Sequence, residues 1–329
     1  MLIEVSESSQ TGDARRKALA WAEDTQMGEA RCGAVALAAT EMATNLVKHA
    51  GRGHILVQQL RKNGSRGLRI TSVDKGPGIA DITRALSDGH STAGSMGTGL
   101  GAIRRVSDDF DLYSLPGVGT VVSAEFWNSK LPHSRPHPLE IAVISEPIAG
   151  EDVCGDGWGV RNMTDAVNIM VIDGLGHGIL AAEAAREAER IMSETHMDRP
   201  ETILHDMHAA LRKTRGAACG ISKIDLEKRL LNFAGVGNIS TSVVAPGTSR
   251  TLASHNGILG QNMERIQEFA VPWNENSVLV MHSDGLGTRW DLERYPGIWN
   301  KRASLVAAVL YRDFCRGRDD VTVLVAKAA

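Results

Sequence analysis

The sequence predicts an α+β protein made of two domains, and three observations support this. Its 329 residues exceed what one hydrophobic core usually supports. A segment near the middle, residues 128–138, carries three prolines and no apolar periodicity, which is typical of a domain boundary. Strand patterns and long helical patterns occur on both sides of it. We therefore expect one domain over 1–128, a linker over 129–138 and a second domain over 139–329.

Apolar patterns and turn signals place the elements of each half. In the first half, a short strand opens the chain, and helices are expected on one face of a mixed sheet. The expected elements are helices over 13–23 and 28–49, strands over 55–61 and 68–73, a helix after the glycine-rich segment 94–101, and a hairpin of strands 110–114 and 120–126. In the second half, strands flanking long helices indicate paired antiparallel sheets covered by helices. The expected strands are 139–146, 166–172, 230–234, 241–244, 277–282 and 321–326, and the expected helices are 179–196, 201–214 and 303–314.

Charge and cysteine content argue against several classes of protein. With 36 Lys and Arg against 39 Asp and Glu, the net charge of -3 provides no basic excess for nucleic acid or an anionic membrane. The 4 cysteines are too far apart for a zinc knuckle or a disulfide framework, which fits a reducing cytoplasm. No targeting segment is visible, and no apolar run approaches the roughly 20 residues of a membrane span. We therefore expect a cytoplasmic protein whose partners are proteins or nucleotides.

Three motifs of the first half point to a nucleotide site. Glu41, Asn45 and Lys48 recur at helical spacing, so they share one face of the second helix. Asp74 ends a strand and opens an Asp-x-Gly-x-Gly motif, whose glycines let a flat ligand approach the backbone. The segment 97–101, Gly-Thr-Gly-Leu-Gly, precedes a helix whose free N–H groups suit a polyphosphate. The polar trio alone would indicate a solvent-exposed stripe, but the three motifs in this order favour a nucleotide site.

The order of these motifs resembles the GHKL (Bergerat) ATP-binding fold, an α/β sandwich shared by histidine kinases, gyrase and Hsp90-type ATPases. Within that superfamily, residues 1–127 resemble the anti-sigma and stressosome switch kinases of the RsbT and RsbW type. The similarity includes Gly89-His90-Ser91-Thr92 before the glycine box and Gly117-Val118-Gly119-Thr120 in the final hairpin. No phospho-accepting histidine helix precedes the domain, which disfavours a histidine kinase.

This resemblance implies a serine/threonine kinase that uses ATP and Mg²⁺. Glu41 is the expected general base toward a substrate hydroxyl, and Asn45 is the expected Mg²⁺ ligand. Asp74 is expected to accept a hydrogen bond from the adenine amino group, with support from Thr120. The other residues expected to contact ATP are Lys48, His49, Gly76, Gly78, Gly97, Thr98, Gly99, Leu100 and Gly101. A structural role for His49 is an equal alternative.

Aspartate motifs in the second half indicate a dispersed metal site. Asp156, Asp173 and Asp284 each stand beside a glycine, and Asp319-Asp320 precedes the last strand. Any one Asp-Gly pair would more often be a plain turn. If these carboxylates converge, they suit Mg²⁺ or Mn²⁺, because both ions prefer oxygen ligands. The chemistry that this favours is attack of a metal-activated water on a phosphate ester.

The order of these motifs resembles the PPM family of metal-dependent serine/threonine phosphatases, which has an α-β-β-α sandwich fold. The RsbX and SpoIIE branch is the nearest likeness, over about residues 140–327. It implies two Mn²⁺ or Mg²⁺ ions. The expected ligands are Asp156 and Asp173, which are also the expected catalytic residues, the carbonyl of Gly174, Asp284 and Asp319. The position of Asp319 three before Thr322 favours it, while Asp320 stays open. A general-acid role and a loop-ordering role are equally open for His177.

Both resemblances point to one regulatory circuit. The main hypothesis is a bifunctional protein that phosphorylates and dephosphorylates serine or threonine of a STAS-domain partner in a partner-switching pathway. An anti-sigma factor or a similar target is a further partner, and the sequence leaves a homodimer open. The alternative is a phosphatase whose first domain only binds ATP or docks a partner, although Glu41 and Asn45 argue against it. An ATPase of the Hsp90 or repair type is disfavoured, because the short domain lacks a transducer segment.

Overall fold

The computed structural model describes residues 1–62, 64–87, 99–129, 137–263 and 266–329. The chain forms two compact units, each with its own hydrophobic core. The first unit contains Met1–Pro136 and Asn300–Arg312, and the second contains His137–Trp299 and Asp313–Ala329.

The first unit is built on a five-stranded sheet with the order β1-β2-β3-β5-β4. Its strands are β1 Leu2–Val5, β2 Gly53–Lys62, β3 Ser65–Val73, β4 Asp109–Leu115 and β5 Gly119–Trp127. Every neighbouring pair is antiparallel, so the prediction of a mixed sheet is wrong. The reason is topological. The chain enters β5 from the β4 hairpin rather than from a crossover helix, which a parallel neighbour would need.

The helices of the first unit pack against this sheet through small side chains. Those that precede β4 are α1 Ser8–Asp24, α2 Glu29–Asn45, α3 Ile82–Leu86 and α4 Gly99–Val106. Ala18 of α1 and Ala39 of α2 are buried in one core with Phe126 of β5. A π-helical turn, Leu46–Ala50, continues α2 and ends at Gly51 with φ 77°. Lys48 and His49 lie in this wider turn. The regular α-helical spacing expected from Glu41 to Lys48 therefore ends at Asn45, before Lys48 is reached.

The second unit contains two five-stranded antiparallel sheets, with the orders β13-β10-β9-β8-β7 and β12-β11-β14-β15-β6. The strands are β6 Leu139–Glu146, β7 Asp156–Asn162, β8 Ala166–Gly174, β9 Ala217–Asp225, β10 Leu230–Val236, β11 Ser240–Ala245, β12 Thr248–Leu252, β13 Phe269–Pro272, β14 Val278–His282 and β15 Val321–Ala328. Ile169, Phe233 and Leu324 belong to a core with residues from both sheets. This confirms the predicted pair of sheets.

Two of the remaining helices cover one of these sheets. The helices are α5 Ile179–Glu194, α6 Pro200–Ala210 and α7 Ala303–Phe314, and a 3₁₀ turn at Leu211–Lys213 follows α6. Ala184 and Ala188 of α5 and Leu204 of α6 are buried in one core with Met170 and Ile172 of β8. In the part of the chain that the structure describes, no helix is both long and apolar enough to span a bilayer.

The segment Asn300–Arg312 groups with the first unit, whereas the sequence assigned it to the second domain. Lys301 Nζ lies 2.8 Å from Asp111 Oδ1, and Arg302 Nη2 lies 2.6 Å from Asp109 Oδ2. Both aspartates belong to β4. The apolar pattern of α7 accounts for its burial but not for these ion pairs with β4. The linker, 129–138, falls mostly outside the described residues, so its bounds stay a prediction.

Gly119→Ala is expected to destabilise the first unit more than Gly117→Ala. Both residues have positive φ, 135° and 77°. A Cβ on Gly119 would lie 2.0 Å from the carbonyl oxygen of Asp74, whereas one on Gly117 meets nothing within 4 Å. Gly117→Ala should therefore cost only the backbone strain, about 1–3 kcal/mol. Thermal unfolding of the two variants measures the difference, and equal melting temperatures would contradict this expectation.

Candidate active sites

A cavity of about 470 Å³ in the first unit brings most of the predicted nucleotide residues together. Its volume lies within the roughly 300–1,000 Å³ typical of ligand pockets. The predicted residues that line it are Glu41, Asn45, Lys48, His49, Asp74, Gly78, Gly99, Leu100 and Thr120. Gly101 is instead buried within α4, and Gly76 acts through its N–H group on Asp74. Gly97, Thr98 and the segment 89–92 lie outside the described residues.

Glu41 and Asn45 of α2 face the start of α4. A Cβ on Gly99 would lie 3.6 Å from Asn45 Oδ1 and 3.7 Å from Glu41 Oε2. The first N–H groups of an α-helix have no partner within the helix, and they suit an anion. A carboxylate, an amide oxygen and a helix end thus meet at one place. These groups can supply a base, a metal ligand and phosphate-binding donors.

Asp74 also lines the cavity, and two backbone groups hold its side chain in place. Its Oδ1 accepts hydrogen bonds from the N–H groups of Gly76 at 2.8 Å and Thr120 at 3.2 Å. Burial raises the pKa of Asp74, while these two bonds and the charge of Arg312 act to lower it. Ser114 Oγ lies 2.8 Å from Thr120 Oγ1, so it holds the Thr120 side chain in place. Sequence reasoning missed Ser114, which carries no motif of its own.

The second unit concentrates aspartates at the ends of four strands. Asp156 of β7 and Asp173 of β8 are directly opposite each other in the antiparallel pairing. Asp284 follows β14 and Asp319 precedes β15, and these two strands are neighbours in the other sheet. Burial raises the pKa of Asp173, and the charges of Asp156, Asp284 and Asp319 raise it further. We call these four residues the carboxylate cluster.

The chemistry of the carboxylate cluster fits a divalent cation. Burial also raises the pKa of Asp156 and of Asp284. Crowded carboxylates repel one another, and an oxygen-binding ion such as Mg²⁺ or Mn²⁺ would remove that repulsion. Within the described ranges, however, no three His, Cys, Asp or Glu side chains stand in ready ligand geometry. The two-ion site and its set of ligands, including the carbonyl of Gly174, stay a prediction.

The neighbours Asp319 and Asp320 differ in what they contact. Asp320 is buried, and its two carboxylate oxygens accept hydrogen bonds from the N–H groups of Ile148 and Gly155, both at 2.7 Å. Asp319 is exposed, and its Oδ1 accepts from the N–H of Asp320 at 3.0 Å. Asp320 therefore braces the loop before β7. This arrangement supports Asp319 as the residue available to an ion.

Two polar residues orient the carboxylate cluster, and sequence reasoning gave neither a role. Ser283 Oγ donates to Asp156 Oδ2 at 2.6 Å and accepts from the N–H of Thr322 at 2.9 Å. Asn238 Nδ2 donates to Asp284 Oδ2 at 2.8 Å. Ser283 carries a signal, since it stands in the Ser-Asp-Gly motif. Asn238 follows a glycine-rich strand end, which is a weaker signal.

His177 pairs with a residue of the loop before β7. Its Nδ1 lies 2.7 Å from Glu151 Oε1, and both side chains are partly exposed. The contact links the loop between β8 and α5 to the loop between β6 and β7. It is consistent with a loop-ordering role, one of the two roles that the sequence left open for His177.

The two sites define a class of protein that combines a kinase-type ATPase domain with a metal-dependent phosphatase domain. Comparison with known protein families agrees. Residues 5–126 match the histidine kinase-like ATPase domain, and residues 164–329 match the stage II sporulation protein E (SpoIIE) family. The chain belongs to the SpoIIE family and carries a histidine kinase-like ATPase domain in its first half.

Known relatives correspond to each half separately. The chain is 41% identical over 93 residues to the serine/threonine-protein kinase RsbT of Bacillus subtilis (strain 168), which covers 28% of this chain and 70% of RsbT. It is 27% identical over 138 residues to the phosphoserine phosphatase RsbX of the same organism, which covers 42% of this chain and 69% of RsbX. The structure of RsbX in complex with magnesium matches with a TM-score of 0.53 and 23% identity, over 60% of this chain and 98% of that one. This last match shows the fold.

Ser283→Ala is expected to weaken Mn²⁺ binding about tenfold or more, because residues that orient metal ligands usually have effects of this size. The variant removes the donor to Asp156 Oδ2 and the acceptor for the N–H of Thr322. Calorimetric titration with Mn²⁺ measures the change. Ser222→Ala is the matched control, since its buried hydroxyl contacts Met281 Sδ instead. Equal Mn²⁺ affinity in the two variants would disprove the orienting role.

Asp319→Asn and Asp320→Asn are expected to affect different properties, the first Mn²⁺ affinity and the second the stability of the metal-free protein. Asp319→Asn should weaken Mn²⁺ binding without lowering the melting temperature of the metal-free protein, because Asp319 is exposed and its charge only adds to the repulsion on Asp173. Asp320→Asn should lower that melting temperature, because an amide NH₂ cannot accept one of the two backbone N–H bonds. Calorimetry and thermal unfolding separate the two effects. The reverse pattern would make Asp320 the ligand.

Proposed function

We propose that this chain is a bifunctional regulatory enzyme that adds phosphate to, and removes it from, serine or threonine of one STAS-domain partner. Its main support is that both sites occur in one chain: the cavity with Glu41 and Asn45, and the carboxylate cluster around Asp156 and Asp173. The similarity of the two halves to a kinase, RsbT, and to a phosphatase, RsbX, supports the same pairing.

In the kinase reaction, the residues of the cavity position ATP and the acceptor hydroxyl. Asp74 accepts from the adenine amino group, and its orientation is set by the N–H groups that bind its Oδ1. The N–H groups at the start of α4 bind phosphate oxygens. Asn45 offers an oxygen to Mg²⁺, which neutralises phosphate charge when bound. Glu41 then accepts the proton of the serine or threonine hydroxyl as that oxygen attacks the γ-phosphorus, and the bond from this phosphorus to the β–γ bridging oxygen breaks, so that ADP leaves.

In the phosphatase reaction, the carboxylate cluster supplies the negative charge that holds the metal ions. When bound there, Mn²⁺ or Mg²⁺ would supply an activated water and neutralise charge on the phosphate ester. Asp156 and Asp173 contribute carboxylates from the neighbouring strands β7 and β8. Ser283 fixes the orientation of Asp156. Asp320 keeps the loop before β7 in place through two backbone hydrogen bonds. The products are inorganic phosphate and the free hydroxyl of the partner.

A single substrate for both reactions is favoured by the covalent link between the two activities. Tethering gives each active site a high effective concentration near a partner that is already bound. The phosphorylation state of the STAS-domain partner would then decide whether it binds an anti-sigma factor or a similar target. In this proposal the chain sets that state in both directions, within a partner-switching pathway.

Asp173→Asn is expected to accumulate label on a purified STAS-domain protein from ATP labelled at its γ-phosphate. Wild-type protein with Mn²⁺ should add the label and then remove it, because its carboxylate cluster is intact. Glu41→Gln should add no label and should still bind ATP, since the substitution removes the base and keeps the shape of the side chain. A time course of bound label, with calorimetry for ATP, measures these outcomes.

Absence of label with both wild type and Asp173→Asn would contradict the kinase half of the proposal. If Mn²⁺-dependent hydrolysis of a phosphoserine peptide were retained, the chain would be a phosphatase whose first domain only binds ATP or docks a partner. Absence of peptide hydrolysis in wild type would contradict the phosphatase half.

A further inference from the structure

Exposed apolar side chains are concentrated just after the aspartate of β8. Among the described residues, the large apolar side chains that stay exposed are Leu37, Trp158, Leu175, Ile179, Leu180 and Met197. Three of these six lie within residues 175–180. We call Leu175, Ile179 and Leu180 the apolar rim. A single exposed leucine needs no explanation, whereas neighbouring exposed apolar side chains are typical of an interaction surface.

The apolar rim adjoins the carboxylate cluster. Its first residue comes two positions after Asp173, and its last directly precedes Ala181 of α5. A Cβ on Gly155, the neighbour of Asp156, would lie 2.7 Å from Ala181 Cβ. A Cβ on Gly174 would lie 2.2 Å from the carbonyl oxygen of Ala181. The start of α5 therefore packs against the backbone beside both aspartates.

The backbone of the apolar rim is held in place. The N–H of Leu175 donates to the carbonyl oxygen of Gly216 at 3.0 Å. His177, which lies between the rim residues in sequence, pairs with Glu151 at 2.7 Å. Groups that are already fixed lose less conformational entropy on binding than mobile ones. The apolar rim is thus ready to receive a partner without rearrangement.

The position of the apolar rim indicates what covers it. A small phosphate ester fills only the metal site and leaves the rim in water. A folded protein that brings a phosphorylated side chain to Asp156 and Asp173 also covers the surface beside them, and that surface includes the rim. Removing exposed isoleucine and leucine side chains from water is favourable. The substrate protein itself is therefore the occupant that the position favours.

We propose that the apolar rim docks the phosphorylated STAS-domain protein, through an apolar surface around its phosphoserine or phosphothreonine. The inference rests on the proposed phosphatase function, and it adds the contact that selects a protein over a small phosphate ester. Contacts remote from the reacting phosphate supply binding energy that a truncated substrate lacks. Ile179 is the expected centre of the contact, because its exposed fraction of 66% is the largest of the three.

The test is calorimetric binding of a purified STAS-domain protein that carries phosphoserine, below called the phosphoprotein, to the full chain with Mn²⁺. Asp173→Asn serves as the parent protein, because it is expected to leave the phosphate in place. Ile179→Gln and Leu180→Gln are each expected to weaken binding about tenfold, as central interface residues do. Glutamine suits exposed helical positions, so the melting temperature of both variants should equal that of the parent.

Met197→Gln is the matched control and should bind the phosphoprotein as the parent does. Met197 is 48% exposed, close to the 47% of Leu180, but it follows the far end of α5. Equal affinity of the parent, Ile179→Gln and Leu180→Gln would overturn the docking surface, as would absence of binding by the parent. Sedimentation gives a further check. A dimeric parent and monomeric variants with unchanged phosphoprotein affinity would make the rim an interface between copies instead.

Hydrolysis by the otherwise wild-type chain separates docking from the proposed function. Ile179→Gln should raise KM for the phosphoprotein more than it lowers kcat, and more than it raises KM for a phosphoserine peptide. If wild type hydrolysed both substrates and Ile179→Gln left both KM values as they were, the function would stand and the docking surface would fall. Binding that Ile179→Gln and Leu180→Gln weaken, without hydrolysis of either substrate by wild type, would support docking and contradict the proposed phosphatase function.

Discussion

Repulsion among buried carboxylates is the constraint on which the second unit depends. Asp156 and Asp173 are fixed opposite each other by the pairing of β7 with β8, and burial raises the pKa of both. A buried charge is costly unless it is paired or hydrogen-bonded. The chain meets part of this cost with Ser283, whose hydroxyl donates to Asp156. A bound cation would offset the remaining repulsion. The crowding of carboxylates that opposes folding of the metal-free protein therefore also prepares the protein to bind metal.

In both units a helix starts near a glycine that lies beside a functional oxygen. In the first unit, Gly99 opens α4 next to the side chains of Glu41 and Asn45. In the second, a Cβ on Gly174 would lie 2.2 Å from the carbonyl oxygen of Ala181, so only glycine lets the start of α5 pack against the end of β8. The second of these helix starts is packed too tightly for a Cβ, whereas a Cβ on Gly99 would lie 3.6 Å from its nearest neighbour. Phosphate chemistry needs this kind of fixed, charged geometry.

The sequence predicted many of the elements and acids that carry a local signal, but the expected strands omit β7, β9, β12 and β13. β8 is an apolar run interrupted only by Asn168, so both the strand and Asp173 after it were visible. β7 was missed, because Gly157 and Gly159 break its apolar alternation. β12 was also missed, because it is exposed and has no alternation of buried and exposed residues.

Features that depend on contacts between distant residues could not be predicted. Ser283 acts on Asp156, far away in sequence. The grouping of Asn300–Arg312 with the first unit has the same origin, because Lys301 and Arg302 pair with aspartates of β4, far away in sequence. The most direct test of this account is the number of Mn²⁺ ions that the ATP-free wild type binds in a calorimeter, together with its melting temperature. The account predicts two bound ions and a higher melting temperature, as expected for a ligand of the folded state. No uptake of Mn²⁺, or uptake that leaves the melting temperature unchanged, would contradict it.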